Sequence, residues 1–129
     1  MNRVIHFEIH GKDLDAMQKF YGQIFGWDIK DLGPQMAGYR MVTTGDKEPG
    51  IDGGMNPRRG DAPVEGQPLN AFVCTIDVND IDAYIEKVKK AGGTIALDKM
   101  DVPGVGKLAY CKDPEGNIFG MLQPGGPTT

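Results

Sequence analysis

Three ionisable residues alternate near the start of the chain: His6, Glu8 and His10. In an extended strand, side chains two positions apart share a face and lie about 6.5 Å from each other. Two imidazoles and a carboxylate at that spacing can converge on one ligand or one ion. Such donors suit zinc, iron, nickel or manganese. Without a metal, Glu8 or His6 can act as a general base. The same alternation also fits a solvated strand face, so the chemistry depends on what covers it.

The element that positions the trio is a strand over 4–10, with Ile5, Phe7 and Ile9 on its opposite face. Asp13 follows as the N-cap of a helix, its carboxylate accepting from the free amides of the first turn. Leu14, Met17, Phe20, Tyr21, Ile24 and Phe25 recur at helical spacing as an apolar stripe. Gly26 ends that helix in a left-handed conformation. Strands are predicted over 27–31, 39–44 and 51–56, the last rich in glycine.

Sliding the sequence along itself by 67 residues aligns its two halves without a gap. Asp13, Asp15 and Ala16 fall on Asp80, Asp82 and Ala83. Gly26 meets Gly93, Asp46 meets Asp113, and Gly53 meets Gly120. About ten identities over some fifty positions exceed the roughly three expected by chance, and they cluster at helix ends and turns. The second half therefore reads as a strand over 70–78, a helix over 81–91 and three strands near 94–97, 107–112 and 117–123. Lys87, Lys89 and Lys90 suit the negative end of that helix. Phe72, Cys74 and Ile76 are expected to face the helix, and Val73, Thr75 and Asp77 to face away. The segment 57–69 holds three prolines and reads as a linker, a connector or a lid around Arg58 and Arg59. Repeat one spans about 3–56, repeat two about 70–123, and the tail 124–129 reads as frayed.

The fold class predicted is α+β, a single domain of paired β-α-β-β-β repeats whose curled mixed sheets surround a cavity. Tyr39, Arg40, Thr75, Asp77 and Tyr110 join His10 as candidate ligand-binding residues, while Trp27 reads as core. Hydrophobic residues at 40% and charged residues at 25% fit a globular chain rather than a disordered one. The net charge of −4 excludes a nucleic-acid binder, which needs a cationic face. No segment has the apolar length of a membrane span. Two cysteines, Cys74 and Cys111, each in an apolar stretch, are expected as buried free thiols in a reducing cytoplasm.

Three segments carry a resemblance to a known family. They are Ile5-His6-Phe7-Glu8-Ile9, Phe20-Tyr21-Gly22-Gln23-Ile24-Phe25-Gly26-Trp27 and Asp113-Pro114-Glu115-Gly116-Asn117-Ile118-Phe119-Gly120. On these the chain resembles the vicinal oxygen chelate superfamily: glyoxalase I, extradiol dioxygenases, and fosfomycin- and bleomycin-resistance proteins. The resemblance runs from about residue 3 to 123 and favours the glyoxalase-like branch. It implies U-shaped sheets, pairing of chains into homodimers and, in the metal-dependent members, a divalent metal held by the first and last strands of each repeat. Those positions are His6, Val73, Gly53 (within one residue) and Gly120. Valine and glycine cannot ligate a cation, so His6 alone survives as a metal ligand of the usual site.

The function expected is therefore small-molecule binding with the usual metal site largely lost and no cofactor assured. An acidic chain favours a cationic ligand, with Glu8 and Asp77 supplying charge and Tyr39 or Tyr110 stacking. The alternative is a metal-dependent lyase, isomerase or dioxygenase acting on a carbonyl or diol compound through a shifted site at His6, Glu8 and His10. A partner-binding domain without chemistry is the third reading.

Overall fold

A computed structural model describes residues 2–67 and 72–125. It resolves into two compact units: His6–Phe72, and the N-terminal residues up to Ile5 together with the chain from Val73 onward. The start of the second-repeat strand at 70–71, the linker end at 68–69 and the tail at 126–129 lie outside the described residues.

In the first unit the order is β1 (Val4–Gly11), α1 (Leu14–Phe25), β2 (Asp28–Asp31), a 3-10 turn at Pro34–Met36, β3 (Arg40–Thr43) and β4 (Asp52–Pro57). The strands stand side by side as β2-β3-β4-β1, with β1 and β4 parallel and the other pairs antiparallel. In the second unit β5 (Val73–Asp77), α2 (Ile81–Lys90), β6 (Thr94–Val102), β7 (Gly106–Lys112) and β8 (Ile118–Pro124) are ordered β6-β7-β8-β5. There β5 and β8 are the parallel pair. Two β-α-β-β-β units with one pairing scheme make the chain α+β, as the internal repeat predicts.

Local chemistry explains both helices. The Asp13 carboxylate accepts from the Ala16 N–H at 3.0 Å, and Asp80 accepts from Ala83 at 3.2 Å. Gly26 closes α1 at φ 71°, a left-handed conformation that glycine adopts without a Cβ penalty. Period-two patterning then puts Phe7 and Ile9 beneath α1 with Leu14, Ile29, Val42 and Met55. Each such buried side chain contributes about 2 kcal/mol. The second core gathers Val78, Ile81, Ala109, Cys111 and Met121.

Several expectations are corrected. The α1 stripe is wider than its contact with the sheet: Leu14 is buried, but Phe20, Ile24 and Phe25 are more than half exposed. Cys74 is exposed while Cys111 is buried, and the buried second core includes Cys111 but no hydrophobic residue of β5. Phe72 belongs to the first unit, where its ring stacks on Phe7 at 5.3 Å between centroids. Strand β6 runs to Val102, with irregular register after Ile95 and Leu97. Pro124 pairs with Gly106 as the last residue of β8 rather than starting a frayed tail. Residues 58–67 hold no helix or strand, as their composition predicts. Among the described residues no helix is long and apolar enough to cross a membrane.

Candidate functional site

The candidate site is built on the face of β1 turned away from α1. Glu8 is its centre, a carboxylate only 6% exposed. Its Oε1 lies 3.2 Å from His10 Nε2, and the His10 side chain is 37% exposed. Two residues back, His6 Nε2 lies 3.2 Å from the hydroxyl of Tyr39. His6 therefore engages a phenol and His10 engages the carboxylate, so the trio forms two adjacent pairs.

Tyr39 is held by its backbone. Its N–H donates to Met36 O at 3.0 Å, and its carbonyl accepts from Leu32 at 3.2 Å, so the 3-10 turn sets the residue just ahead of β3. The ring lies across Gly54, where any Cβ would collide with the phenol ring and hydroxyl. Gly54 is the register partner of Glu8, whereas Gly53 partners Phe7 on the α1 side, where a Cβ would strike the Phe7 ring and carbonyl. The last-strand position on the His6/Glu8 face is thus Gly54 and not Gly53, within the one-residue uncertainty of the alignment. The parallel pairing of β1 with β4 decides this, and pairing register is not written in either strand alone.

Electrostatics follow from burial. The Tyr39 hydroxyl is pushed up to about 12, first by desolvation and then by the Glu8 charge, so it stays protonated. Burial lowers the His6 pKa below 6.5, against opposing pulls from Glu8 and Asp52. A neutral imidazole, a protonated phenol and a carboxylate consequently share one strand face. That set can accept hydrogen bonds, donate them, or move a proton between ligand and protein.

A divalent ion fits this set poorly. Among the described residues no three His, Cys, Asp or Glu side chains come together in the way a metal site requires. At the last-strand positions paired with Glu8 and Thr75, Gly54 and Gly120 have no side chain, and the Tyr39 ring lies across Gly54.

The remaining candidates stand elsewhere. Arg40 turns to the α1 side: Nη2 lies 2.8 Å from Asp15 and 3.8 Å from Asp31, and Nη1 donates to Gln18 at 2.8 Å. It ties β3 to α1. In the second unit Thr75 is 2% exposed and is the register partner of Gly120. A Cβ on Gly120 would lie 2.8 Å from Thr75 Oγ1 and 3.3 Å from Tyr110 Cε1, so these three residues form one cluster. The Asp77 carboxylate accepts from the Arg3 N–H at 2.7 Å and fixes the N-terminal residues. Trp27 packs against the first core, its ring parallel to Tyr21.

Comparison with known proteins decides the family. The model of the glyoxalase/bleomycin resistance protein/dioxygenase superfamily matches residues 3–121. The chain belongs to this superfamily. It is 38% identical over 86 residues to a Mycobacterium bovis protein named "Putative glyoxylase CFP32", covering 67% of this chain and 30% of that one. It is 28% identical over 130 residues to the anthracycline biosynthesis protein DauV of Streptomyces sp. strain C5, covering 92% of this chain and 46% of that one. The chain thus spans half or less of the length of these curated relatives. Among solved structures, methylmalonyl-CoA epimerase from Mycobacterium tuberculosis shares the fold with a TM-score of 0.65 at 14% identity, covering 95% of this chain and 87% of that one.

Proposed function

We propose that this glyoxalase-like chain binds a small molecule on the His6/Glu8/His10 face of β1, with Glu8 as the charged anchor and no metal held by that trio. The observation that carries the reading is the burial of Glu8 among donors. A carboxylate removed from water is costly unless it is hydrogen-bonded, and buried ionisable groups gather at functional sites. Its complement is a ligand with a cationic or hydrogen-bond-donating group beside an apolar or aromatic body. The net charge of −4 favours the approach of such a ligand. Tyr39 offers a fixed donor and a ring to stack on. Exposed Ile24 and Phe25 support a homodimer, and the two free cysteines fit a reducing cytoplasm.

A second reading is favoured by the 3.2 Å contact of Tyr39 with His6 beside Glu8. Glu8 takes a proton from a carbon next to a carbonyl, and Tyr39 donates to the oxygen on which charge develops.

Thermal-shift screening of small aromatic amines against their neutral and anionic analogues tests both readings. The amines are expected to raise the melting temperature selectively, and Glu8→Gln to weaken them by about tenfold. Under the second reading Glu8→Gln cuts turnover by a hundredfold or more while binding survives. Amines that bind Glu8→Gln as tightly as the native chain would overturn the reading of Glu8 as a charged anchor, and unchanged turnover in Glu8→Gln would overturn the second reading.

A further inference from the structure

At the His10 end of β1, the first unit holds a cleft of about 470 Å³ beside α1. Met17, Phe20, Tyr21 and Phe72 supply apolar walls, and Arg58 and His10 are its polar members. A volume of this order, mostly apolar with a few placed polar groups, is the usual form of a small-molecule pocket.

Arg58 lies just past β4 and is fixed at two points. Its backbone N–H donates to Gly11 O at 2.9 Å, and its Nη2 donates to His10 O at 2.7 Å. The second bond uses one of the five N–H donors of a guanidinium. Among the described residues Arg58 enters none of the ion pairs, although the chain is acidic. A cation anchored by carbonyls and without a carboxylate partner therefore stands at an apolar cleft.

We propose that this cleft is a second ligand site, which takes an organic acid. The acid's aromatic or aliphatic body lies against Met17, Phe20, Tyr21 and Phe72, and its carboxylate meets the remaining Arg58 donors. Guanidinium forks match carboxylates in geometry as well as charge. The site's charged group, Arg58, is opposite in sign to Glu8, and His10 stands between the two.

Trp27 makes the test direct. It is the chain's single tryptophan, and its ring stacks on Tyr21 at 5.1 Å with an interplanar angle of 5°. Occupation of the cleft perturbs Tyr21 and through it the Trp27 fluorescence. The probes are 4-phenylbutyrate and its uncharged counterpart 4-phenyl-1-butanol. The acid is expected to give a saturable change at a concentration about tenfold lower than the alcohol. Arg58→Ala is expected to bring the acid down to the level of the alcohol, with Arg58→Lys intermediate, and Ala16→Phe to abolish both responses by filling the cleft. The proposal is overturned by equal affinity for the two probes or by no saturable response to the acid below about 10 mM, a concentration weaker than a specific site. Unchanged acid affinity in Arg58→Ala or Ala16→Phe overturns it as well. Should Arg58→Ala fail to fold by circular dichroism, Arg58→Lys and Ala16→Phe decide the matter.

Discussion

Beside the last-strand glycine of the first unit stands Glu8, flanked by two histidines. Beside that of the second unit stands Thr75, with Val73 and Asp77 at the spacing the two histidines have from Glu8. Both glycines sit under a tyrosine, Tyr39 in one unit and Tyr110 next to Gly120 in the other. The strand pairing is the same, and a buried carboxylate stands beside the glycine in the first unit only. A last-strand glycine thus pairs with the first strand in both units, while the residue it pairs with is Glu8 in one and Thr75 in the other. The units differ also in spacing: Gly54 is 46 positions after Glu8, and Gly120 is 45 after Thr75. The gapless offset of 67 therefore fails by one residue at the fourth strand, where it matters for the site.

Alanine substitutions at the glycines test this comparison most severely. Gly53→Ala drives a Cβ into the Phe7 carbonyl and ring, and a backbone atom cannot step aside. It should cost about 3 kcal/mol in urea denaturation, at the upper end for overpacking. Gly54→Ala displaces the Tyr39 side chain, which can rotate away, and should cost about 2 kcal/mol. Gly120→Ala meets the Thr75 hydroxyl and should cost about 1 kcal/mol. Equal losses at positions 54 and 120 would erase the contrast between a covering phenol and a small hydroxyl.

Titration sharpens the same contrast. Tyr39 titrates near 12 in the folded chain against 10.0 ordinarily, so the folded state keeps that proton longer than the unfolded one. Its contribution to stability is complete below pH 10 and lost as pH rises toward 12. Ultraviolet difference spectra should show a late tyrosinate that Tyr39→Phe removes. His6 works in the other direction: its pKa is lowered, so the unfolded state binds that proton first. Stability should fall as pH drops below 6.5, and His6→Asn should flatten that fall.

Smaller effects complete the series. Asp13→Ala and Asp80→Ala each remove a side-chain cap and should each cost about 1 kcal/mol, because each carboxylate accepts from the amide three residues on. Thr75→Val should be neutral or stabilise by about 0.5 kcal/mol, since the buried Thr75 hydroxyl has no hydrogen-bond partner among the described residues. A clear loss in Thr75→Val would mean that the hydroxyl holds something the described residues do not.

What could be read from the residues was local. Asp13, Asp80 and Gly26 carry their helix boundaries in their own chemistry, and the alternation of Phe7 and Ile9 with His6, Glu8 and His10 assigns two faces without a structure. Registers between distant strands were not legible. Gly53 and Gly54 are neighbours of the same type, and only pairing with β1 tells which lies beside Glu8. Arg40 next to Tyr39 looked like a ligand contact, but adjacent residues on an extended chain point to opposite sides, which sends Arg40 to Asp15 and Gln18. Cys74 is exposed although Ile76 on the same face is half-buried, and strand alternation does not tell how far along a face the cover reaches. Pairing His6 with Tyr39 needs the turn at Pro34–Met36, which no periodicity announces.

The unequal exposure of the two cysteines has a practical side. An alkylating dye added to the folded chain should find the thiol on β5 and pass over Cys111, which has no exposed surface and whose thiol is pushed up by burial. One native handle for labelling and one hidden sentinel thus come without mutagenesis. Dye uptake at the second position reports opening of the second core, and its rate measures how often that core comes apart.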